Sequence, residues 1–312
     1  TLTENEKLQE TVKDVLKKIE GGSSFAEALG NHPKIFSKLY VNMVKAGESG
    51  GFLETALSRL AQYLQTTKEI RDYLVSVMIY PLILTIVSGI SIIILMTFVI
   101  PRFGRIFSDM GQAIPLPTQI LLSISDWVRG YWWVGLGMAL LAYFGFKIYT
   151  QQEERKIKWD GFKLRWAFIG KLIKKAEVAR FSRTLGTLLQ SGVSILPALN
   201  LAKEISQNRV VSRSIVYVHD RLREGKAMSK SLGETEIFPA LAIQMIGVGE
   251  ETGKLDEMLV KVAETYEESL QSSLKRFVSL LEPMIILSMG GVVGFIVISM
   301  LLAIFSINEI PF

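Results

Sequence analysis

Residues 76 to 100, SVMIYPLILTIVSGISIIILMTFVI, contain no Asp, Glu, Lys or Arg. Hydrocarbon offers a backbone no hydrogen-bond partners, so such a run must satisfy its amides within itself, and a helix of about 20 residues already covers the ~30 Å apolar core of a bilayer. The stretch predicts a membrane-spanning helix. A second uncharged run, GYWWVGLGMALLAYFGF at 130 to 146, is shorter but opens with Tyr131, Trp132 and Trp133, rings that favour the membrane–water interface. The third, Pro283 to Asn308, is also free of charge and long enough to cross with some tilt. Three spans place the two termini on opposite sides of the membrane.

Orientation follows from lysine and arginine, which are retained on the cytoplasmic side during insertion. Residues 1 to 72 hold ten, 101 to 129 hold only Arg102, Arg105 and Arg129, 147 to 276 hold twenty-two, and none follows the third span. The expected organisation is a first cytoplasmic helical bundle at 1–75, a span at 76–100, a periplasmic loop at 101–129, a span at 130–149, a second cytoplasmic bundle at 150–280, a span at 281–307 and a periplasmic tail at 308–312. This places the chain in a bacterial inner membrane with its N-terminus cytoplasmic. The chain begins at Thr1 without a methionine, as a processed or an incomplete start would, and carries no signal-peptide pattern there.

Composition excludes several chemistries. With no cysteine there are no disulfides or thiolate metal sites, and His32 and His219 lack a metal-ligand spacing, so no metal or other cofactor is expected. The net charge is only +5, and much of the basic surplus runs from Arg155 to Arg183, just inside the second span, where anionic headgroups attract it. The lipid bilayer thus explains the charge without nucleic acid. In that stretch Trp159, Phe162 and Trp166 recur at helical spacing, which fits a helix packed on its own domain or an interfacial helix.

The run ALAIQMIGVGEETGKLDEML, 240 to 259, superficially resembles a phosphate loop. Such a loop needs G-x-x-x-x-G-K-[ST] between a strand and a helix, but Val248 takes the first glycine position and Leu255 replaces the magnesium-binding hydroxyl. A repeat explains the turn instead. IFSKLYVNMVKAGESGGFLETALSRLAQYL at 35 to 64 aligns with IFPALAIQMIGVGEETGKLDEMLVKVAETY at 237 to 266. Phe36, Leu39, Met43 and Val44 match Phe238, Leu241, Met245 and Ile246, one face of a helix, and Leu53, Leu57, Leu60 and Leu64 match Leu255, Leu259, Val262 and Tyr266. The register reaches Pro81 and Pro283, which are expected to permit bends, and FAEALG and MSKSLG upstream. A duplicated helical hairpin thus precedes two of the spans.

Within the turns, Gly47, Gly50, Gly51, Gly249 and Gly253 are expected to supply left-handed backbone angles. Glu48 and Glu250 occupy equivalent places. Each either accepts hydrogen bonds from free amides at the start of the following helix or meets a basic residue of a partner or another domain. In the spans, Gly89 and the trio Gly290, Gly291 and Gly294 permit close helix approach, within the chain or against a second protomer.

The paired AGESGGFL and GEETGKL turns, ARFSRTLGTLLQSGVSILPAL at 179 to 199 and GQAIPLPT at 111 to 118 resemble the inner-membrane platform protein family of type IV pili and type II secretion systems, over nearly the whole chain. The resemblance implies an all-α fold of two homologous cytoplasmic bundles plus three transmembrane helices, no enzymatic activity, and a homodimer or higher homo-oligomer. Its implied partners are a cytoplasmic hexameric assembly ATPase, pilin or pseudopilin subunits, and inner-membrane alignment proteins. Lys174, Lys175, Arg180 and Arg183 then become candidates for an acidic ATPase surface or for an intradomain face. The segment matching 176 to 204 has no counterpart before Thr1, so the first bundle is expected to be about two helices short and to expose apolar surface. The rival class is a polytopic permease, which usually carries buried charges in its spans; these spans have none.

Overall fold

The computed structural model describes residues 6 to 109, 115 to 149 and 152 to 308. The GQAI part of the 111–118 motif and tail residues 309 to 312 lie outside them. The described residues are helical, without strands: α1 (Glu6–Glu20), α2 (Phe25–Gly30), α3 (Lys38–Gly50), α4 (Leu53–Ile94), a π-helical turn (Leu95–Val99), α5 (Ile100–Asp109), α6 (Leu116–Tyr149), α7 (Glu153–Arg165), α8 (Ile169–Gln190), α9 (Ile195–Ile205), α10 (Arg209–Arg223), α11 (Met228–Gly233), α12 (Ala240–Thr252) and α13 (Leu255–Asn308). The chain divides into two compact units, Thr1–Asp72 with Glu153–Ser273, and Tyr73–Gln152 with Leu274–Phe312. α4 and α13 each contribute to both.

In the first unit the duplication is visible helix by helix. α1 to α4 start at Glu6, Phe25, Lys38 and Leu53, and α10 to α13 at Arg209, Met228, Ala240 and Leu255, which holds the offset at 202 to 203. Val44 and its counterpart Ile246 are fully buried, as are Leu60 and Val262 to within 2%. Side chains of this size contribute about 1.5–3 kcal/mol each when removed from water. Two pairs depart from the repeat: Leu39 is buried, but Leu241 is 50% exposed because Ala242 takes the inward place on α12, and Leu64 is 49% exposed where Tyr266 is buried.

The two copies share a single hydrophobic cluster, joined by the α8–α9 hairpin, which has no counterpart among residues 1 to 75. On α8, Thr184 Oγ1 lies 3.4 Å from the Tyr63 hydroxyl of the first copy, and a Cβ on Gly186 would sit 2.9 Å from Val260 of the second. The hairpin thus packs on both. α9 also packs on α10, burying Ile215, whereas the equivalent Val12 on α1 is 53% exposed.

The second unit holds three helices long and apolar enough to cross a membrane, Leu53–Ile106, Leu116–Tyr149 and Leu255–Phe305, two of which begin in the first unit. Most of the segment expected as a loop at 101–129 is helical instead: α5 continues to Asp109 and α6 begins at Leu116. Pro117 sits in the first turn of α6, where its missing N–H costs nothing, and no further proline interrupts the helix up to Tyr149. Met96, Ile100, Leu121 and Ile296 form a small core. Polar side chains add specific ties, Ser125 donating to the Met96 carbonyl inside the π turn and Thr118 to the Ser299 carbonyl at 2.9 Å. The Tyr80 hydroxyl donates to Glu282 at 3.0 Å, and these two residues are equivalents under the repeat.

Candidate functional site

The duplicated turn is the most distinctive local arrangement. Glu48, on the last turn of α3, accepts from the amides of Phe25 at 2.7 Å and Ala26 at 3.1 Å. Glu250 on α12 repeats this on Met228 at 2.6 Å and Ser229 at 3.1 Å, with a third bond from the Ser229 hydroxyl at 2.8 Å. The amides are the free donors at the starts of α2 and α11, where the helix dipole also favours negative charge. The expectation of a cap on the following helix is therefore corrected. Each carboxylate caps a short helix that precedes its own, because the chain folds back so that the end of α3 or α12 meets the start of α2 or α11.

The two caps are not identical. In α2 the Ser24 hydroxyl accepts from the Glu27 amide at 3.1 Å, and the Ser24 carbonyl accepts from Ala28 at 3.0 Å, so all four opening amides are satisfied. The equivalent of Ser24 is Ala227, which has no side-chain acceptor. α11 therefore depends more heavily on Glu250.

The glycines divide by task. Gly51 and Gly253 have φ of 73° and 71° and carry the left-handed step that ends α3 and α12. The amides that follow, Phe52 and Lys254, return to the carbonyls of Gly47 and Gly249 at 2.9 Å, as in a Schellman ending. Gly47, Gly50 and Gly249 have ordinary helical angles, correcting the left-handed expectation. They are needed for space: a Cβ on Gly47 would lie 2.6 Å from Ala56 Cβ, one on Gly249 2.8 Å from Met258 Cβ, and one on Gly50 would enter the Phe52 ring. The turn is no phosphate loop, since helix α12 precedes it and Lys254 lies 3.4 Å from Glu257.

The basic candidates each have an internal partner. Arg183 Nε and Nη2 clasp both oxygens of Glu267 at 2.9 and 2.5 Å, with only 13% and 11% of the two side chains exposed. Burial pulls the guanidinium pKa down, but the Glu267 contact, with Glu264 nearby, outweighs it and holds the group above its usual value. Arg180 pairs with Glu177 at 3.0 Å, Lys175 donates to Ser273 at 2.8 Å, and Lys174 to the Glu236 carbonyl at 3.3 Å. In the spans, a Cβ added at Gly89, Gly290, Gly291 or Gly294 meets nothing within 4 Å. Packing within the described residues therefore does not account for these glycines. Pro81 and Pro283 lie inside continuous α4 and α13.

Sequence reasoning missed the buried acids. Asp160 on α7 accepts from the Arg209 amide at 3.0 Å and from Lys163 at 2.8 Å. Glu177 accepts from the Gln207 amide at 3.2 Å and the Ser206 hydroxyl at 2.7 Å. The available signal was weak: each is an acid on an otherwise basic or apolar helix face.

A duplicated, carboxylate-capped helical module combined with three helices apolar enough to cross a membrane among the described residues defines a polytopic helical membrane protein. The family described as Type II secretion system (T2SS), protein F, matches residues 2 to 101 and 181 to 303, and the chain belongs to that family. It is 38% identical over 306 residues to a Type IV pilus assembly protein PilC of Myxococcus xanthus, covering 97% of this chain and 73% of the relative. Identity to the PilC of Thermus thermophilus is 39% over 308 residues, covering 98% and 75%. To the Type II secretion system protein F of Xanthomonas campestris it is 35% over 310, covering 99% and 76%. These relatives are named for filament assembly and secretion, which favours the platform reading over a permease.

Proposed function

We propose that this chain is a non-enzymatic platform protein of the bacterial inner membrane, which couples a cytoplasmic hexameric ATPase to the assembly of pilin or pseudopilin subunits, as a homo-oligomer beside alignment proteins. One observation carries the reading: each copy of the duplicated module leads into a span through a single helix, α4 or α13, which offers displacement of a module a continuous helical route to the bilayer. The uncharged runs at 76 to 100, 130 to 146 and 283 to 308 offer no ion relay of their own, which fits energy entering from outside the chain. The lysine and arginine distribution supports a cytoplasmic N-terminus and a periplasmic C-terminus. Arg180, 29% exposed while paired, and half-buried Lys174 are the basic candidates for an acidic ATPase surface.

The test is a flexible glycine-serine insertion ahead of Pro81 or Pro283. Filament assembly should stop while membrane levels and oligomeric state persist. Normal assembly by the interrupted protein contradicts mechanical transmission.

A further inference from the structure

We infer that α7 is an interfacial anchor that lays its aromatic face on an anionic bilayer surface. At about 3.6 residues per turn, Arg155, Trp159, Phe162 and Trp166 fall on one face of this helix, with Trp166 extending its last turn. Lys156 and Lys163 border that face on one side, Lys158 and Arg165 on the other, while Ile157, Asp160 and Leu164 lie opposite. The roll of the helix about its axis is fixed, because Asp160 is 2% exposed and bound to the Arg209 amide, and its carbonyl accepts from Asn208 at 3.3 Å. The aromatic face consequently points outward.

Phe162 is 49% and Trp166 50% exposed, and their rings stand 5.8 Å apart, as do those of Trp159 and Phe162. Two large rings in the open beside half-buried Trp159 would waste apolar area in water, but amphipathic rings flanked by cations are suited to the headgroup boundary, where the lysine stems lie along the acyl surface and their ammonium groups reach phosphate. Phe168 and Ile169, 41% and 39% exposed, extend the patch beyond the helix. Charge complementarity selects an anionic surface. Chain length allows contact: three residues separate Tyr149, the end of an apolar helix, from Glu153, and they reach at most about 14 Å.

Because these 312 residues hold no cysteine, Phe162→Cys provides a unique attachment point in them for an environment-sensitive fluorophore. In nanodiscs containing phosphatidylglycerol, the emission should shift to the blue, lose quenching by aqueous iodide and gain quenching by a shallow nitroxide lipid. Each change should weaken in pure phosphatidylcholine and in the Lys158→Glu/Arg165→Glu background, whose unchanged melting temperature would show that it folds. Trp166→Cys, labelled in the same way, should repeat the pattern, and a label at exposed Lys226 should not. The inference is overturned if positions 162 and 166 remain as open to iodide as position 226 in every lipid. It is equally overturned if the shift appears only when duplex DNA or an acidic peptide is added without lipid.

Discussion

Replacing Glu250 by alanine removes three hydrogen bonds to an ionised acceptor, two from the opening amides of α11 and one from Ser229. Met228 is fully buried, so its amide does not recover a water partner. An amide stranded in this way costs about 1–3 kcal/mol, and lost charge–dipole attraction adds up to about 1. Partial hydration of Ser229 limits the total to about 2–4 kcal/mol. For a unit of 150 to 250 residues, roughly 2–4 °C accompanies each kcal/mol, so a fall in melting temperature of about 4–16 °C is expected in nanodiscs. Glu48→Ala should cost less, about 1–2 kcal/mol, because Ser24 still caps α2 and only two bonds are lost. Hydrogen exchange should accelerate at residues 228 to 232 in the first variant and 25 to 29 in the second. An unchanged melting temperature with loss of partner binding would refute the capping argument and identify Glu250 as a docking residue. A larger loss for Glu48→Ala would refute the comparison between the copies.

Other substitutions probe different forces. Gly249→Ala forces a methyl to within 2.8 Å of Met258 Cβ and should destabilise by about 1–3 kcal/mol, whereas Gly290→Ala meets open space and should leave the melting curve unchanged. Glu267→Gln strands a mostly buried Arg183 and should lower stability by about 3 kcal/mol, read by denaturant or thermal unfolding; replacing both residues with apolar side chains of similar size should recover much of the loss. Hydrogen bonds to Lys18 and His32 hold the Asp14 carboxyl below its usual value. The unfolded chain therefore binds that proton first, so the contribution is present above the ordinary carboxylate range and is lost as pH falls through the folded value. Asp14→Asn should flatten the acid limb of the stability profile, a small effect at so exposed a pair.

The features legible in the sequence were those set by periodicity and charge: uncharged runs gave the spans, and repeated apolar spacing gave the paired hairpins. The repeat also placed Glu48 and Glu250 at equivalent positions, but not their partners. Those amides lie 22 and 23 residues upstream of Glu48, where only the tertiary fold brings them near. Local pattern likewise could not separate Gly51, which needs a positive φ, from Gly47, which needs the absence of a methyl, because both demands select glycine. The 101–129 segment read as a loop because it is less apolar than its neighbours, yet helix formation there requires only satisfied amides. On α7, spacing alone left two readings of the aromatic stripe, and the exposure of Phe162 and Trp166 is what favours the interfacial one.

The central claim is that this chain passes mechanical work between a cytoplasmic motor and membrane-embedded filament subunits. Its most direct test is gentle affinity purification of the tagged protein from native membranes, followed by identification of bound proteins and an ATPase assay of the complex. The account predicts recovery of a hexameric ATPase together with pilin or pseudopilin, with hydrolysis that disappears when the ATPase alone is inactivated. Recovery of neither protein, or solute flux through the purified chain in liposomes, would contradict it.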